Sequence, residues 1–433
     1  MKAPWTTSSL AGMALVLVIC SSNINWGKEH WRTVLQADAK GYYAYLPALF
    51  IYHDANLGFF DVIEKETYYN ANLFYDYRFG YEGKVVDKYF LGTAVAQLPF
   101  FLAAHGFIGA TGGLADGYSK PYVVAVNLAA VVWVLFGLWC LARLLATYSI
   151  SDGVVAFSLT VFLFGTNLFY YTVVAPGMSH AYSFGLCTAF LLLGRRTFIT
   201  PSIGRVLALG VLLGLIILIR PVNGLILLAL PVLLDQRPTR QDIKDAIARY
   251  WIVGGGAVLL AICIAALQLL YYRLATGDWI VYSYGEEGFN WTAPHVLDIL
   301  FSYRKGLFLY APVLLFGLVG LPFLWRRSGL AAGSWLVFFV LVTYVLSSWW
   351  NWWYGGSFGS RVYVEYFALF ALPAGLALQD LAQRWKKALI SGMILCVVLC
   401  QIQTFQMRYY QIHWEDMDRE RYWDVFLRLD RLP

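Results

Sequence analysis

The residues that could do chemistry in this chain are few, and they stand at the ends of apolar runs. Asp38 lies about a dozen residues past the first run, in Gln36-Ala37-Asp38-Ala39-Lys40-Gly41-Tyr42-Tyr43. Lys88 follows Asp87, and His180 opens a run in Gly177-Met178-Ser179-His180. Arg220 precedes Pro221 between two runs so closely spaced that its guanidinium must lie at a boundary. Arg304 and Lys305 precede a further run, and Arg361 closes Trp349-Trp350-Asn351-Trp352-Trp353-Tyr354-Gly355-Gly356-Ser357-Phe358-Gly359-Ser360.

One carboxylate among several cations suits a reaction with a phosphate leaving group. The cations neutralise charge as the bond breaks, and Arg does so through a bidentate fork. An ionised Asp can take the proton of an incoming hydroxyl, a step worth roughly 10²–10⁴ in rate. Against each assignment stands a plainer reading. Interfacial Lys and Arg snorkel or bind lipid headgroups, a helix-start His forms a hydrogen bond, and a Trp cluster forms an interfacial belt. Tyr42, Tyr43 and Trp353 offer stacking faces for sugar rings, and Glu286 beside Glu287 could bind a second substrate.

Positioning such groups falls to membrane elements. The chain has 433 residues, 60% hydrophobic and 13% charged, with a mean hydropathy of +0.59. Repeated apolar runs of about 20 residues predict an all-α polytopic membrane protein. A net charge of +6 is small for this length and argues against nucleic acid as a partner. The six cysteines all fall within apolar runs, which indicates neither a disulfide framework nor a metal cluster. There is no HExxH, and the one DxD, Asp416-Met417-Asp418, sits in a charge-dense tail. No cofactor is therefore expected, although a divalent ion stays open. No phosphate-binding glycine loop occurs.

Basic clusters at Arg195/Arg196, Arg237/Arg240/Lys244/Arg249, Arg326/Arg327 and Arg384/Lys386/Lys387 mark the cytoplasmic side, each separated from the next by an even number of spans. Consistency then requires residues 90–110, with Gly92, Pro99 and His105, to lie in the outer interface. The expected topology has about eleven spans. Residues 1–26 form the first span, 27–120 a long external loop with interfacial helices, 121–406 the bundle, and 407–433 an external tail.

This arrangement resembles the GT-C class of lipid-carrier-dependent glycosyltransferases, in the style of protein mannosyltransferases and lipid A aminoarabinose transferases. The resemblance is carried by Asp38-Ala39-Lys40-Gly41-Tyr42-Tyr43 after the first span, by Lys88 before a Pro99-containing segment, by Arg220-Pro221, and by the late Trp/Gly/Arg stretch. Two features depart from it. Ala39 replaces a common second acidic residue, which puts a metal role in doubt, and no large C-terminal soluble domain follows. The resemblance implies inverting transfer of a sugar from a polyprenyl-phosphate donor to a glycan, lipid or protein hydroxyl, outside the cytoplasmic (inner) membrane. Asp38 would be the general base, with Lys88, Arg220, Arg361, Arg304 and Lys305 on the donor phosphate and Tyr42, Tyr43, His180, Glu286 and Trp353 on substrate. A transporter or flippase of lipid-linked sugars, and an O-antigen ligase or polymerase, are the competing readings.

Overall fold

A computed structural model describes residues 3–236 and 238–430, so Arg237 of the second basic cluster lies outside the described residues. The chain is an all-α polytopic membrane protein. Among the described residues, seven helices are long and apolar enough to cross a membrane: Pro4–Trp26, Gly92–Thr111, Lys120–Ala146, Ala248–Thr276, Gly329–Ser347, Arg361–Asp380 and Gln383–Arg408. Shorter apolar helices run over Asp152–Phe164, Ile203–Ile219 and Pro221–Leu233. Gly92–Thr111, expected at the interface, meets the same length and composition test as the other spans.

Burial follows the apolar pattern. Phe367–Asp380 is apolar all round and sits at the bundle centre, nearly every side chain from Phe367 to Leu378 buried. Elsewhere large apolar side chains point outward, with Ile252 69%, Val340 62% and Leu395 69% exposed, as lipid-facing surfaces require. The N-terminal helix is pinned by Asp152, whose carboxylate accepts the first-turn N–H groups of Trp5 and Thr6 at 2.9 and 3.1 Å. Those amides have no partner within their own helix.

Residues 27–119 carry the structure that shapes the site. Asp38–Pro47 is α-helical and widens into a π turn over Ala48–Tyr52. A two-stranded antiparallel hairpin pairs Arg78–Tyr81 with Lys84–Asp87, a feature the apolar-run pattern does not predict. Its turn residues Glu82 and Gly83 both have positive φ, 48° and 77°, the backbone a two-residue hairpin turn demands. The second strand delivers Asp87, Lys88 and Tyr89, and the Gly92–Thr111 helix begins directly after.

Helix Ile203–Ile219 stops at Arg220, which is extended (φ −153°, ψ 118°) as a residue before proline tends to be. The chain then turns back as a 3₁₀ helix over Pro221–Leu233. Gly92 lets the corner close: a Cβ there would meet Ile219 N at 2.3 Å.

Candidate active site

A cavity of about 1660 Å³ opens where these segments meet. Its walls come from the Asp38 helix, the hairpin exit, the Arg220 corner, the 282–291 and 349–361 loops and residues 407–414. Among the sequence-predicted residues, Asp38, Tyr42, Lys88, His180, Arg220 and Arg361 line it.

Asp38 is the first residue of its helix and follows Ala37, a non-glycine residue at φ 48° and ψ −133°. That backbone costs of order 1–3 kcal/mol and aims the carboxylate off the helix start. Arg361 Nη2 donates to Asp38 Oδ2 at 2.6 Å, across 323 residues of sequence. Tyr89 Oη donates to Oδ1 at 2.8 Å, and the Tyr75 hydroxyl lies 2.6 Å from that of Tyr89. Gly41 permits this approach, since a Cβ on it would stand 2.5 Å from Tyr89 Cδ2. Tyr42 packs on the other side, its ring centre 4.7 Å from that of Tyr89.

Burial opposes the charge on Asp38. The Arg361 guanidinium, the Tyr89 and Arg361 hydrogen bonds and the more distant Lys88 outweigh it and hold the carboxyl below its ordinary 3.8. Burial, then the Asp38 charge, push the Tyr89 phenol well above 10, so it remains a donor.

The other cations are also paired. Lys88 Nζ meets Glu287 Oε1 at 2.6 Å. Arg220 Nη1 donates to Glu365 Oε1 at 3.3 Å, and His180 Nδ1 reaches the same oxygen at 3.0 Å. Arg361 Nε has no partner among the described residues, which leaves a buried N–H for a ligand. Val222, Leu225, Leu227 and Leu228 continue the cavity wall from Arg220; Leu227 and Leu228 are half exposed. One flank is thus apolar and open, while the Asp38 flank is polar.

Five sequence-predicted residues stand outside the cavity lining. Tyr43 is fully buried, its hydroxyl donating to the Gly117 carbonyl, because the residue after Tyr42 points into the first-loop core. Glu286 yields its place to Glu287. Arg304 lies flat on Trp353, 3.6 Å from the ring centre, and bonds the Glu415 carbonyl and Asp416. Lys305 is buried and donates to the carbonyls of Ser357 and Trp414. Burial, followed by the charges of Arg361 and Arg304, lowers the Lys305 pKa to about 7. The sequence pattern does not single out Tyr89 and Glu287, which line the cavity, or Glu365, which is buried against Arg220 and His180. Glu365 had a signal: a single acidic residue inside an apolar run is a functional candidate by default.

Among the described residues no group of three or more His, Cys, Asp or Glu side chains is placed to hold a metal ion. Asp38 is engaged by a cation and a phenol, and Ala39 stands beside it, so this donor set does not fit a carboxylate-bound divalent ion.

No family model matches the chain, nor does any curated protein. Solved structures do. The apo oligosaccharyltransferase of Archaeoglobus fulgidus aligns with 99% of this chain and 60% of its own, at 13% identity and a TM-score of 0.52. The likeness is one of fold. The oligosaccharyltransferase AglB of the same organism, in complex with an inhibitory peptide and a dolichol-phosphate, aligns over 98% of this chain and 57% of its own, at 10% identity and a TM-score of 0.49. The chain therefore spans about three-fifths of the structures it resembles.

Proposed function

We propose that this protein is an inverting membrane glycosyltransferase that moves a sugar from a polyprenyl-phosphate donor to an acceptor hydroxyl on the extracytoplasmic face of the cytoplasmic membrane. The observation that carries the reading is Asp38, kept ionised by Arg361 at 2.6 Å on the wall of a cavity that Arg220, Lys88 and an apolar flank also line. The prenyl tail would run along Val222–Leu228, with its phosphate near Arg220, Lys88 and the unpartnered Arg361 Nε.

In the reaction the acceptor oxygen bonds to the anomeric carbon from the face opposite the phosphate, and its proton passes to Asp38. The carbon–oxygen bond to phosphate breaks, and its electron pair leaves with the prenyl phosphate, whose charge grows by one. A carboxylate so stabilised is a weak base. It takes the proton late, once a carbon of oxocarbenium character has made the hydroxyl acidic. The cations act where the charge grows.

Asp38→Asn in the purified full chain tests this. Transfer from a synthetic prenyl-phosphate sugar is expected to fall by about 10²–10⁴, with prenyl-phosphate binding retained and the product anomer inverted. Transfer surviving in folded Asp38→Asn removes the base, and a retained anomer removes the single displacement.

A further inference from the structure

Glu365 is fully buried in the 3₁₀ segment Arg361–Tyr366, the same segment that supplies Arg361. A 3₁₀ helix has three residues per turn, so positions four apart point about 120° from one another. That geometry aims Arg361 at Asp38 and Glu365 at Arg220 and His180. Oε1 receives both His180 Nδ1 and Arg220 Nη1, while Oε2 has no partner among the described residues. A buried carboxylate left half satisfied is expensive, and its cation partner here faces the cavity rather than the bundle interior.

The Glu365–Arg220 contact is loose. It uses one guanidinium nitrogen at 3.3 Å, against 2.6 Å for Arg361 and Asp38, and among the described residues the rest of the Arg220 fork makes no hydrogen bond. Tyr354 lies under the guanidinium, 5.8 Å from its ring centre, so the group is located without being consumed. Such an arrangement holds a phosphate-gripping arginine in place and subtracts part of its charge.

We propose that Glu365 is a positioning residue that holds Arg220 and His180 on the donor-phosphate side of the cavity and weakens the grip of Arg220 on the departing prenyl phosphate. The inference rests on the glycosyltransferase reading, since it needs a lipid phosphate to be released. The leaving phosphate gains a charge during the reaction, so an arginine without a counter-charge would retain the product. Glu365 keeps that grip reversible.

The test is equilibrium binding of farnesyl phosphate to the purified full chain. Glu365→Gln preserves shape and removes the charge, and is expected to tighten binding about fivefold and lower kcat and KM together. In an Arg220→Ala background the same substitution is expected to change affinity by less than about twofold, because its effect passes through Arg220. A purely structural role predicts a lower Tm with equal or weaker binding in Glu365→Gln. Either that result, or the same tightening without Arg220, overturns the proposal. Should Glu365→Gln not fold, Glu365→Asp draws the charge back by one methylene and is expected to tighten binding about twofold; unchanged or weaker binding overturns the proposal equally. A wild-type chain that binds no farnesyl phosphate counts against the glycosyltransferase reading itself, which separates the two failures.

Discussion

Two regions of this molecule look alike in sequence and differ in structure. Arg220 and Arg361 face a cavity, each held by a single carboxylate; Arg304 and Lys305, equally basic and equally close to an apolar helix, are used up in packing. Lys305 donates to two backbone carbonyls and ties residues 357 and 414 together, and Arg304 is sandwiched between Trp353 and the Asp416 carboxylate. A cation at a membrane boundary is free for a phosphate only when its partner leaves donors over and its head group meets open space. The first pair satisfies both conditions.

The contrast is broken most severely at Arg361. Arg361→Ala strands the buried Asp38 charge, and loss of one partner of such a pair costs about 3 kcal/mol or more. Transfer is expected to fail, and stability to drop most near neutral pH. The sign follows from the lowered Asp38 pKa. A carboxyl depressed in the folded state contributes stability above its unfolded pKa and loses it as pH falls through the folded value. The penalty of Arg361→Ala, read as ΔTm, is therefore expected to shrink below about pH 4.

At Arg220 the change should appear in binding. Arg220→Ala removes a charge-assisted phosphate contact worth about 1.5–3 kcal/mol, measured as weaker farnesyl-phosphate affinity; Tm is expected to fall as well, because the buried Glu365 then keeps only His180 as a partner. Lys305→Met inverts the pattern: stability near pH 7 falls by about 1–3 kcal/mol as two carbonyls lose their donor, while farnesyl-phosphate affinity stays at the wild-type value. Lys305 also gives a pH signature. Its folded pKa of about 7 lies below the free value of 10.5, so the unfolded chain binds more protons between those limits and stability rises with pH there. That rise in Tm is expected to be smaller in Lys305→Met. Arg304→Ala, on a pair exposed at Asp416, should cost under about 1 kcal/mol and leave transfer intact.

Much of this was legible in the sequence. Apolar runs pointed to an all-α membrane fold, and Arg220-Pro221 marked the corner, because a residue before proline is biased away from the helical region. The pairing of Asp38 with Arg361 was not legible, since nothing local links residues 323 apart. Nor could a sequence separate Tyr42 from Tyr43 or Glu286 from Glu287, where one step along the backbone decides which side chain meets the cavity. Glu82-Gly83 did carry a turn signal, but the hairpin it closes is only four residues per strand, too short to show a pattern of its own.

The most direct measurement is a density map of the purified protein with a bound prenyl phosphate. The phosphate is expected within hydrogen-bonding reach of Arg220 and Arg361, beside Asp38, with the tail along Leu225–Leu228. A phosphate seated at Arg304 and Lys305, or a tail that leaves the cavity on the Asp38 side, would contradict it.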